Sequence, residues 1–331
     1  MSSGTFRALV VEEDASGRRV ELRDLAVADL PPGEVLVRIA YSTLNYKDGL
    51  AVTGKGKILR TSPMAPGIDF AGTVVESASP AYRPGDEVIL TGWGVGERYW
   101  GSFSQLNRVK AEWLLPLPEG LTLKRAMAIG TAGLTAALCV LALERQGVAP
   151  GERELVVTGA AGGVGSMAVA LLAQAGFRVV ASTGRLNEAD YLKGLGATEV
   201  IDRATFTNPG RPLERERWVG AVDTVGGATL GGIFRSMAYR GVVAACGNAG
   251  GNDFTTSVFP FILRSVQLIG VDSVVVSPDD RRHAWKRLVS ALPGDLIDQM
   301  TEVIPLDAVP AYSEAITNGR IRGRVVIDLN A

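Results

Sequence analysis

The pattern of apolar and polar positions changes about a third of the way along the chain. Up to Leu123, apolar residues form short runs such as EVLVRIAYS, GIDFAGTVVES and RPGDEVILTG, which are separated by Gly and Pro. This pattern is typical of β-strands joined by turns and predicts a compact, mostly-β domain. From Arg125 onward the pattern becomes an Ala- and Leu-rich helix, followed by strand-like and helix-like runs in alternation.

The alternating runs predict a parallel sheet of the α/β class. Strand-like runs occur at ELVVTG, RVVAST, EVID, AVDTVG, GVVAACG and SVQLIGVDSV, with helical patterns between most of them. Because parallel strands need crossover connections, about six such strands predict a doubly wound, nucleotide-binding sheet. The last thirty residues or so contain a short helix and a final strand, which we expect to rejoin the first domain.

A glycine-rich turn follows the first strand of this predicted sheet. The run GAAGGVG, Gly159–Gly165, leads into an apolar helix and then a second strand within about thirty residues. In that context Gly159 and Gly162 allow a tight turn and close approach to a pyrophosphate, and Gly165 lets the helix pack onto the strand. The helix N-terminus offers the pyrophosphate unpaired N–H groups, and the cofactor-binding candidates of this turn are Gly162, Gly163, Val164 and Gly165. We therefore predict a dinucleotide site; a glycine turn without a ligand is the alternative.

The end of the second strand favours NADP over NAD. An NAD site normally places a carboxylate there, whereas this chain has Ser182, Thr183, Gly184 and Arg185. Two hydroxyl groups and a guanidinium suit an anionic 2′-phosphate. Arg203, after the third strand, can approach the same phosphate or remain a solvated surface residue. The sequence thus predicts NADPH as the cofactor.

Composition excludes several other classes. Lys plus Arg total 34 and Asp plus Glu 35, so the formal charge of −1 gives no overall attraction to nucleic acid. The chain shows neither a signal-peptide pattern nor an unbroken membrane-spanning apolar run, so we expect a cytoplasmic protein with no membrane partner. The two cysteines, Cys139 and Cys246, and the one histidine, His283, are too few for a zinc site, so we expect no metal.

Four further segments resemble the medium-chain dehydrogenase/reductase family: STLNYKDGLAVTG, PGIDFAGTVVE, RPGDEVI and GTAGLTAAL. In its zinc alcohol dehydrogenases the first segment carries a Cys ligand and the second a Gly-His-Glu. This chain instead has Asn45-Tyr46 and Gly67-Ile68-Asp69, which places the resemblance on the zinc-free, quinone oxidoreductase-like side. It implies a GroES-like mostly-β catalytic domain over residues 1–124 and 298–331, and a Rossmann NADP-binding domain over residues 125–297.

Three longer strings, LNYKDGLAVTGKGKI, GVVAACGNAGG and FPFILRSVQLIGVDSV, closely resemble the acryloyl-CoA reductase branch of that side. The resemblance implies NADPH-dependent reduction of the carbon-carbon double bond of acryloyl-CoA to propanoyl-CoA, a CoA thioester as small-molecule partner, and a homodimer. Gly247, Asn248 and Arg324 are further candidates for the cofactor site. The alternatives are an NADPH:quinone oxidoreductase and a non-catalytic NADPH-binding protein.

Reduction of a conjugated double bond is feasible without a metal, because the charge that develops moves onto the thioester oxygen as an enolate. Asn45 is the candidate that stabilises this oxygen. Tyr46 can hold the nicotinamide ribose or, through a water, deliver a proton to the α-carbon, and Asp48 can orient these neighbours. Turn-forming and helix-capping roles are the alternatives for Asn45 and Asp48, and simple packing for Tyr46.

Candidates for binding the substrate follow from charge and aromatic character. The loop GKGKILR supplies Lys55, Lys57 and Arg60 for the CoA phosphates, and Arg264 and Arg324 are further possibilities. Trp93, in a glycine-rich stretch, can form a wall around a small acyl group. The alternatives are a solvated loop, a salt-bridged arginine and an ordinary packed tryptophan.

Overall fold

The computed structural model describes residues 4–15 and 17–331 of the chain. Packing divides the protein into two units, the first formed by Met1–Thr131 and Ile297–Ala331 and the second by Ala132–Leu296. The sequence pattern places the first boundary after residue 124, where a long helix begins. In the structure the boundary lies inside this helix, next to Gly130, whose backbone (φ +49°, ψ −156°) interrupts the helical geometry.

Most residues of the first unit outside turns form strands, and the second unit alternates strands with helices. The strands are β1 (Thr5–Asp14), β2 (Gly17–Ala26), β3 (Val35–Leu44), β4 (Asp69–Ser77), β5 (Glu87–Thr91), β6 (Leu106–Val109), β7 (Leu115–Pro116), β8 (Glu154–Thr158), β9 (Arg178–Thr183), β10 (Glu199–Asp202), β11 (Trp218–Asp223), β12 (Met237–Ala245), β13 (Gln267–Gly270), β14 (Thr301–Pro305) and β15 (Arg324–Asp328). The helices are α1 (Tyr46–Thr53), α2 (Leu123–Arg145), α3 (Gly163–Gln174), α4 (Ala189–Gly194), α5 (Ala204–Thr207), α6 (Gly227–Ile233), α7 (Phe259–Arg264), α8 (Pro278–Ala291), α9 (Gly294–Gln299) and α10 (Val309–Thr317).

The first unit is built mainly on antiparallel strands; β14 and β15 form a parallel pair. β1 and β2 form a hairpin, and the other strands form a seven-stranded sheet in the order β14-β15-β3-β4-β5-β7, with β6 also paired to β3. The final strand rejoins this unit as predicted, with Val325 opposite Leu44 at the end of β3. Apolar side chains of alternate strand positions, including Val37, Ile39 and Phe70, pack into the core beneath the sheet.

The second unit contains a six-stranded parallel sheet in the order β10-β9-β8-β11-β12-β13. Counted from its own first strand, this order is 3-2-1-4-5-6, which is that of the Rossmann fold and confirms the predicted doubly wound sheet. The order reverses between β8 and β11. Ligands of such sheets bind where the carboxyl ends of these two strands diverge.

The last strand of this sheet is shorter than its sequence predicts. The run SVQLIGVDSV is predicted as one strand, but β13 covers only Gln267–Gly270. Its partner β12 ends at Ala245, opposite Gly270, so no strand is present for the following residues to pair with.

One helix among the described residues, α2, is long and apolar enough to cross a membrane by composition alone. In the structure, 89% of its most apolar 18-residue window is buried. Such burial is typical of a core helix.

Candidate active site

The glycine turn holds the N-terminus of α3 against the end of β8. Gly159 turns the chain with φ +59°, and a Cβ atom there would lie 2.3 Å from Oγ1 of Thr224. A Cβ atom on Gly165 would lie 2.3 Å from the carbonyl oxygen of Gly159. Gly162 is the N-cap of α3, so Gly163 and Val164 occupy its first turn, where helical N–H groups lack partners within the helix. The backbone here can fit a pyrophosphate as the sequence predicts.

A buried carboxylate, missed by the sequence analysis, joins the two strands at the switch point. Asp223, at the end of β11, accepts hydrogen bonds from Oγ1 of Thr158 (2.6 Å) and the backbone N–H of Gly226 (2.8 Å). Burial raises the pKa of Asp223. In the sequence, the acidic residue within the otherwise apolar run AVDTVG is the feature that could have indicated this site.

Gly247 and Asn248 lie in the turn after β12, at the same carboxyl edge of the sheet. A Cβ atom on Gly247 would lie 2.1 Å from the carbonyl oxygen of Thr224, so only glycine lets the turns after β11 and β12 pack this closely. Asn248 donates from Nδ2 to Oδ1 of Asn252 at 2.7 Å. Both predicted residues therefore lie at the edge that carries the glycine turn.

The end of β9 brings hydroxyl and guanidinium groups next to the glycine turn. Arg185 donates from Nη2 to the carbonyl oxygen of Ala161 at 3.2 Å, and its backbone N–H donates to Oγ1 of Thr183 at 3.0 Å. Ser182 is fully buried, and its Oγ has no hydrogen-bond partner among the described residues. Arg185, which is only half-buried, is thus better placed than the buried Ser182 to meet a ligand.

Arg203 lies against Gly184. A Cβ atom at Gly184 would lie 2.7 Å from Nε of Arg203, so glycine is needed for the guanidinium to lie across the backbone here. Within the described part of the chain, the side chain of Arg203 forms neither a hydrogen bond nor an ion pair. Two arginines therefore flank the end of β9, where an NAD site would carry an acid.

The catalytic candidates of the first unit lie where β3 passes into α1. Asn45 is the N-cap of α1, and its backbone N–H donates to Oδ2 of Asp48 at 2.8 Å. Asp48 therefore has the helix-capping role considered as its alternative. Tyr46 is half-buried, and its hydroxyl forms no hydrogen bond with any residue that the structure describes.

The Asn45 side chain is held by Asp69, the first residue of β4. Asn45 donates from Nδ2 to Oδ2 of Asp69 at 2.9 Å. Asp69 also accepts from the backbone N–H of Thr131 (2.8 Å) and from its hydroxyl. The sequence analysis used Asp69 only to exclude a zinc site. Its place in the segment that carries Gly-His-Glu in the zinc enzymes was the signal for a site residue.

Burial raises the pKa values of both carboxylates around Asn45. The pKa of Asp48 rises to about 7, first because the group is buried and second because the charge of Asp69 is near. Burial also raises the pKa of Asp69. Oδ1 of Asp48 is buried without a hydrogen-bond partner among the described residues.

Arg324 lies in the same network, which corrects its predicted role as a phosphate ligand. It donates from Nε to the carbonyl oxygen of Ala128 (2.8 Å) and from Nη2 to Oγ1 of Thr43 (2.7 Å). Both Nη atoms lie 3.4 Å from Oδ1 of Asn45. A Cβ atom on Gly130 would lie 2.8 Å from Asp69, so the glycine kink in α2 makes room for this network. Arg324 is 2% exposed and orients Asn45.

The predicted substrate loop is on the surface of the first unit. Lys55 forms an ion pair with Glu314 at 2.5 Å, and Nε of Arg60 lies 3.7 Å from Glu97. Lys57 is exposed and forms no hydrogen bond or ion pair with the described residues. Exposed ion pairs contribute little free energy, so these cations remain able to bind a phosphate.

Two other substrate candidates have different surroundings. Trp93 has a left-handed backbone (φ +58°) and packs against the core of the first unit. Arg264 donates to the carbonyl oxygens of Arg235 (3.0 Å), Met237 (2.9 Å) and Glu214. Because β12 begins at Met237, Arg264 lies at the amino edge of the sheet, opposite the glycine turn. Its predicted role in substrate binding is therefore wrong, and it is a structural residue.

Comparison with known proteins identifies the family. The model for the alcohol dehydrogenase GroES-like domain matches residues 31–119, and that for zinc-binding dehydrogenase matches residues 163–292. The chain is 51% identical over 325 residues to the probable acrylyl-CoA reductase AcuI of Escherichia coli, covering 98% of this chain and 100% of that protein. It is 49% identical over 329 residues to the acrylyl-CoA reductase AcuI of Ruegeria pomeroyi, covering 98% and 100%.

The chain belongs to the acryloyl-CoA reductase branch of the medium-chain dehydrogenase/reductase family. The crystal structure of the yhdH oxidoreductase from Salmonella enterica in complex with NADP superposes on this family member with a TM-score of 0.95. The two are 50% identical, and the match covers 98% of this chain and 99% of that one. The predicted GroES-like and Rossmann folds are confirmed. Among the described residues, no group of three or more His, Cys, Asp or Glu could hold a metal ion.

Proposed function

We propose that this protein catalyses the NADPH-dependent reduction of acryloyl-CoA to propanoyl-CoA. The observation that carries the proposal is its full-length similarity, at 51% and 49% identity, to two acrylyl-CoA reductases. The residues of both units agree with this chemistry.

The second unit fits NADPH. The close packing at Gly159 and Gly165 leaves backbone N–H groups at the start of α3 for the pyrophosphate. Arg185 and Arg203 supply guanidinium groups for the 2′-phosphate, with Thr183 beside them. Bound NADPH supplies the hydride that adds to the β-carbon of the double bond.

Asn45 is the proposed donor to the thioester oxygen. One N–H of its amide is directed to Asp69, and its Oδ1 faces Arg324, so the second N–H has a fixed direction. This N–H can stabilise the negative charge that develops on the oxygen as the double bond is reduced. A donor oriented in advance within a buried site needs no reorganisation during the reaction.

Tyr46 is the proposed donor of the proton that the α-carbon receives, directly or through a water. Tyr46 directly follows Asn45 in the chain and is half-buried, and its hydroxyl has no hydrogen-bond partner among the described residues. Asp48 fixes the start of α1 through the backbone N–H of Asn45, so it positions both residues.

The proposed reaction uses no metal. The sequence contains one histidine and two cysteines, so a zinc site of the family's usual ligands cannot be assembled. Charge stabilisation therefore falls to Asn45 and neighbouring N–H groups. Cys139 and Cys246 are not in a disulfide, which supports a reducing compartment, and we place the protein in the cytoplasm.

We further propose a homodimer that forms through the edge of the Rossmann sheet. β13 is the edge strand, with one side unpaired among the described residues. Beside it, α7 exposes Ile262 and Leu263, and Val258, the residue before α7, is also exposed. Leu268 in β13 is also exposed. An exposed, apolar edge strand is a template for pairing with another chain, and a second copy is the partner that this surface suits.

Steady-state kinetics with purified protein test the proposed function. NADPH oxidation is measured with acryloyl-CoA and with a soluble quinone, and the CoA products are identified by mass spectrometry. We expect turnover of acryloyl-CoA with formation of propanoyl-CoA. Turnover of the quinone alone would favour an NADPH:quinone oxidoreductase. If neither substrate is turned over, the result would favour a non-catalytic NADPH-binding protein.

A further inference from the structure

A cavity of about 200 Å³ lies in the first unit, and its lining does not include the residues of the network around Asn45. Its walls include three aromatic rings and three cations. We name it the Trp113 pocket after its most buried ring, and it is defined by Arg98, Tyr99, Trp100, Arg108, Lys110 and Trp113. None of these residues has a part in the site described above.

The aromatic residues offer a surface for a planar ring. Tyr99 is 45% exposed, and the centroid of its ring lies 4.7 Å from that of Trp113 at an interplanar angle of 49°. Exposed aromatic faces bind nucleobases by stacking, whatever the base. Contact with Trp113 holds the ring of Tyr99 in place, so less side-chain entropy is lost when a ligand binds.

The cations of the Trp113 pocket have unused hydrogen-bond donors. The nearest carboxylate oxygens lie 3.8 Å from Arg98, 3.8 Å from Arg108 and 3.7 Å from Lys110, beyond hydrogen-bond distance. Lys110 also lies over the ring of Trp113, 5.3 Å from its centroid. Among the described residues, none of the three cations donates a side-chain hydrogen bond to another residue.

Arg108 differs from Arg264 in the number of hydrogen-bond acceptors around its guanidinium group. The side chain of Arg108 is 25% exposed, and among the described residues it has no hydrogen-bond acceptor, only the Glu76 carboxylate at 3.8 Å. Arg264, which is more buried at 13%, directs its donors to three backbone carbonyl oxygens. A guanidinium taken largely out of water normally has such acceptors, so Arg108 is placed to receive an anion.

We propose that the Trp113 pocket binds the 3′-phosphoadenosine end of the coenzyme A thioester. This inference rests on the proposed function and names where the substrate's nucleotide is held. The base stacks on Tyr99, and the 3′-phosphate accepts hydrogen bonds from Arg98, Arg108 and Lys110. A cavity of about 200 Å³ is smaller than sites for whole drug-sized ligands and suits one ring system of a larger molecule.

The position of the pocket suits the length of coenzyme A. Arg108 pairs with Leu36, eight residues before Leu44 at the catalytic end of β3, so this part of the pocket lies towards the other end of the strand. The extended pantetheine arm and pyrophosphate are the parts of the substrate that would cover this distance. Glu97, which precedes Arg98, forms an ion pair with Lys47 of α1 at 3.2 Å. This ion pair links the segment that carries Arg98 to the helix that follows Asn45.

Truncated substrates and charge-removing variants test the proposal. Arg108→Gln and Arg98→Gln are assayed with acryloyl-CoA, acryloyl-3′-dephospho-CoA and acryloyl-pantetheine. Arg7→Gln is the matched control, because Arg7 lies in the same unit and likewise has only a distant carboxylate, Asp24 at 3.9 Å. Direct binding of free coenzyme A to each protein is measured by calorimetry as a readout that does not depend on turnover.

We expect Arg108→Gln to raise the KM for acryloyl-CoA by about tenfold or more and to weaken coenzyme A binding similarly, because a charge-assisted hydrogen bond is lost. The KM and kcat for acryloyl-pantetheine should not change, which also shows that the variant is folded. Arg98→Gln should also raise the KM for acryloyl-CoA. Arg7→Gln should leave the KM for both acryloyl-CoA and acryloyl-pantetheine unchanged.

Two results would overturn the inference: unchanged coenzyme A binding in both variants, or an equal rise in KM for acryloyl-CoA and acryloyl-pantetheine. Failure of the proposed function looks different. In that case wild-type protein reduces neither thioester, while coenzyme A binding and its dependence on Arg108 still decide whether the pocket holds the nucleotide.

Discussion

The amide of Asn45 donates from Nδ2 to Oδ2 of Asp69 at 2.9 Å, and both residues are buried. Asp69 is fixed in turn by the N–H and hydroxyl of Thr131. The side chain of Asn45 is therefore held in one orientation at the start of α1. Its second N–H has one direction, which is what a donor to a developing oxyanion needs.

Removal of the Asn45 amide should slow the chemical step. We expect Asn45→Ala to lower kcat with acryloyl-CoA by about 100-fold, the usual effect of losing one such donor, with little change in the KM for NADPH. Asp69→Asn, a change in a positioning residue, should lower kcat less, because the amide remains but its orientation is lost. Pre-steady-state measurement of NADPH oxidation checks both variants, and an unchanged rate in Asn45→Ala would remove Asn45 from the mechanism.

The arginines at the end of β9 should decide between the two nicotinamide cofactors. We expect Arg203→Gln and Arg185→Ala each to raise the KM for NADPH by about tenfold or more, since a charge-assisted pair contributes about 1.5 to 3 kcal/mol. The KM for NADH should change little, because NADH lacks the 2′-phosphate. Kinetics with both cofactors give the answer, and an equal effect on NADH would refute the assignment of that phosphate.

Asp48 should make stability depend on pH. Its pKa of about 7 in the folded protein exceeds the ordinary value of 3.8, so the folded state holds more protons between these values. Stability from this group is present at low pH and falls as the pH rises towards 7, by at most about 1.4 kcal/mol per pH unit. Asp48→Asn keeps an acceptor for the N–H of Asn45 but cannot ionise.

Urea unfolding of wild type and Asp48→Asn at pH 5, 6, 7 and 8 measures this contribution. Relative to wild type, the variant should gain stability from pH 5 to 7 and show a nearly constant difference from pH 7 to 8. Parallel curves across the whole range would mean that Asp48 ionises at its ordinary pKa in the folded state.

The edge of the Rossmann sheet should determine the oligomeric state. Ile262 on α7 is 68% exposed, so Ile262→Asp should not disturb the fold but should place a charge on the proposed dimer surface. We expect sedimentation to show a dimer for wild type and monomers for this variant. Val303→Asp is the control, since Val303 is an exposed valine on a strand of the first unit. A wild-type monomer would contradict the proposal.

The fold follows from sequence to a large extent because its signals are local. Alternation of apolar strands and helices is readable residue by residue, and the GAAGGVG turn has a backbone that only glycine allows at Gly159. The length of β13 was not readable, since pairing ends where a neighbouring strand ends, at Ala245. An apolar run alone does not carry that information.

The site was only partly predictable because charged residues look alike in sequence. Arg185, Arg264 and Arg324 each follow or begin an apolar run, yet they differ in surroundings. Arg185 contacts the glycine turn, Arg264 binds carbonyl oxygens at the amino edge of the sheet, and Arg324 faces Asn45. The roles of these three arginines become distinguishable only when the pairing of distant segments, such as β15 with β3, is known.

The central claim is that hydride from NADPH reaches the β-carbon of a CoA thioester. The most direct test uses NADPH with deuterium at both C4 positions, acryloyl-CoA, and location of the label in the product by NMR. We predict propanoyl-CoA with one deuterium at C3 and a solvent proton at C2. Deuterium at C2, or oxidation of NADPH without any labelled CoA product, would contradict the account.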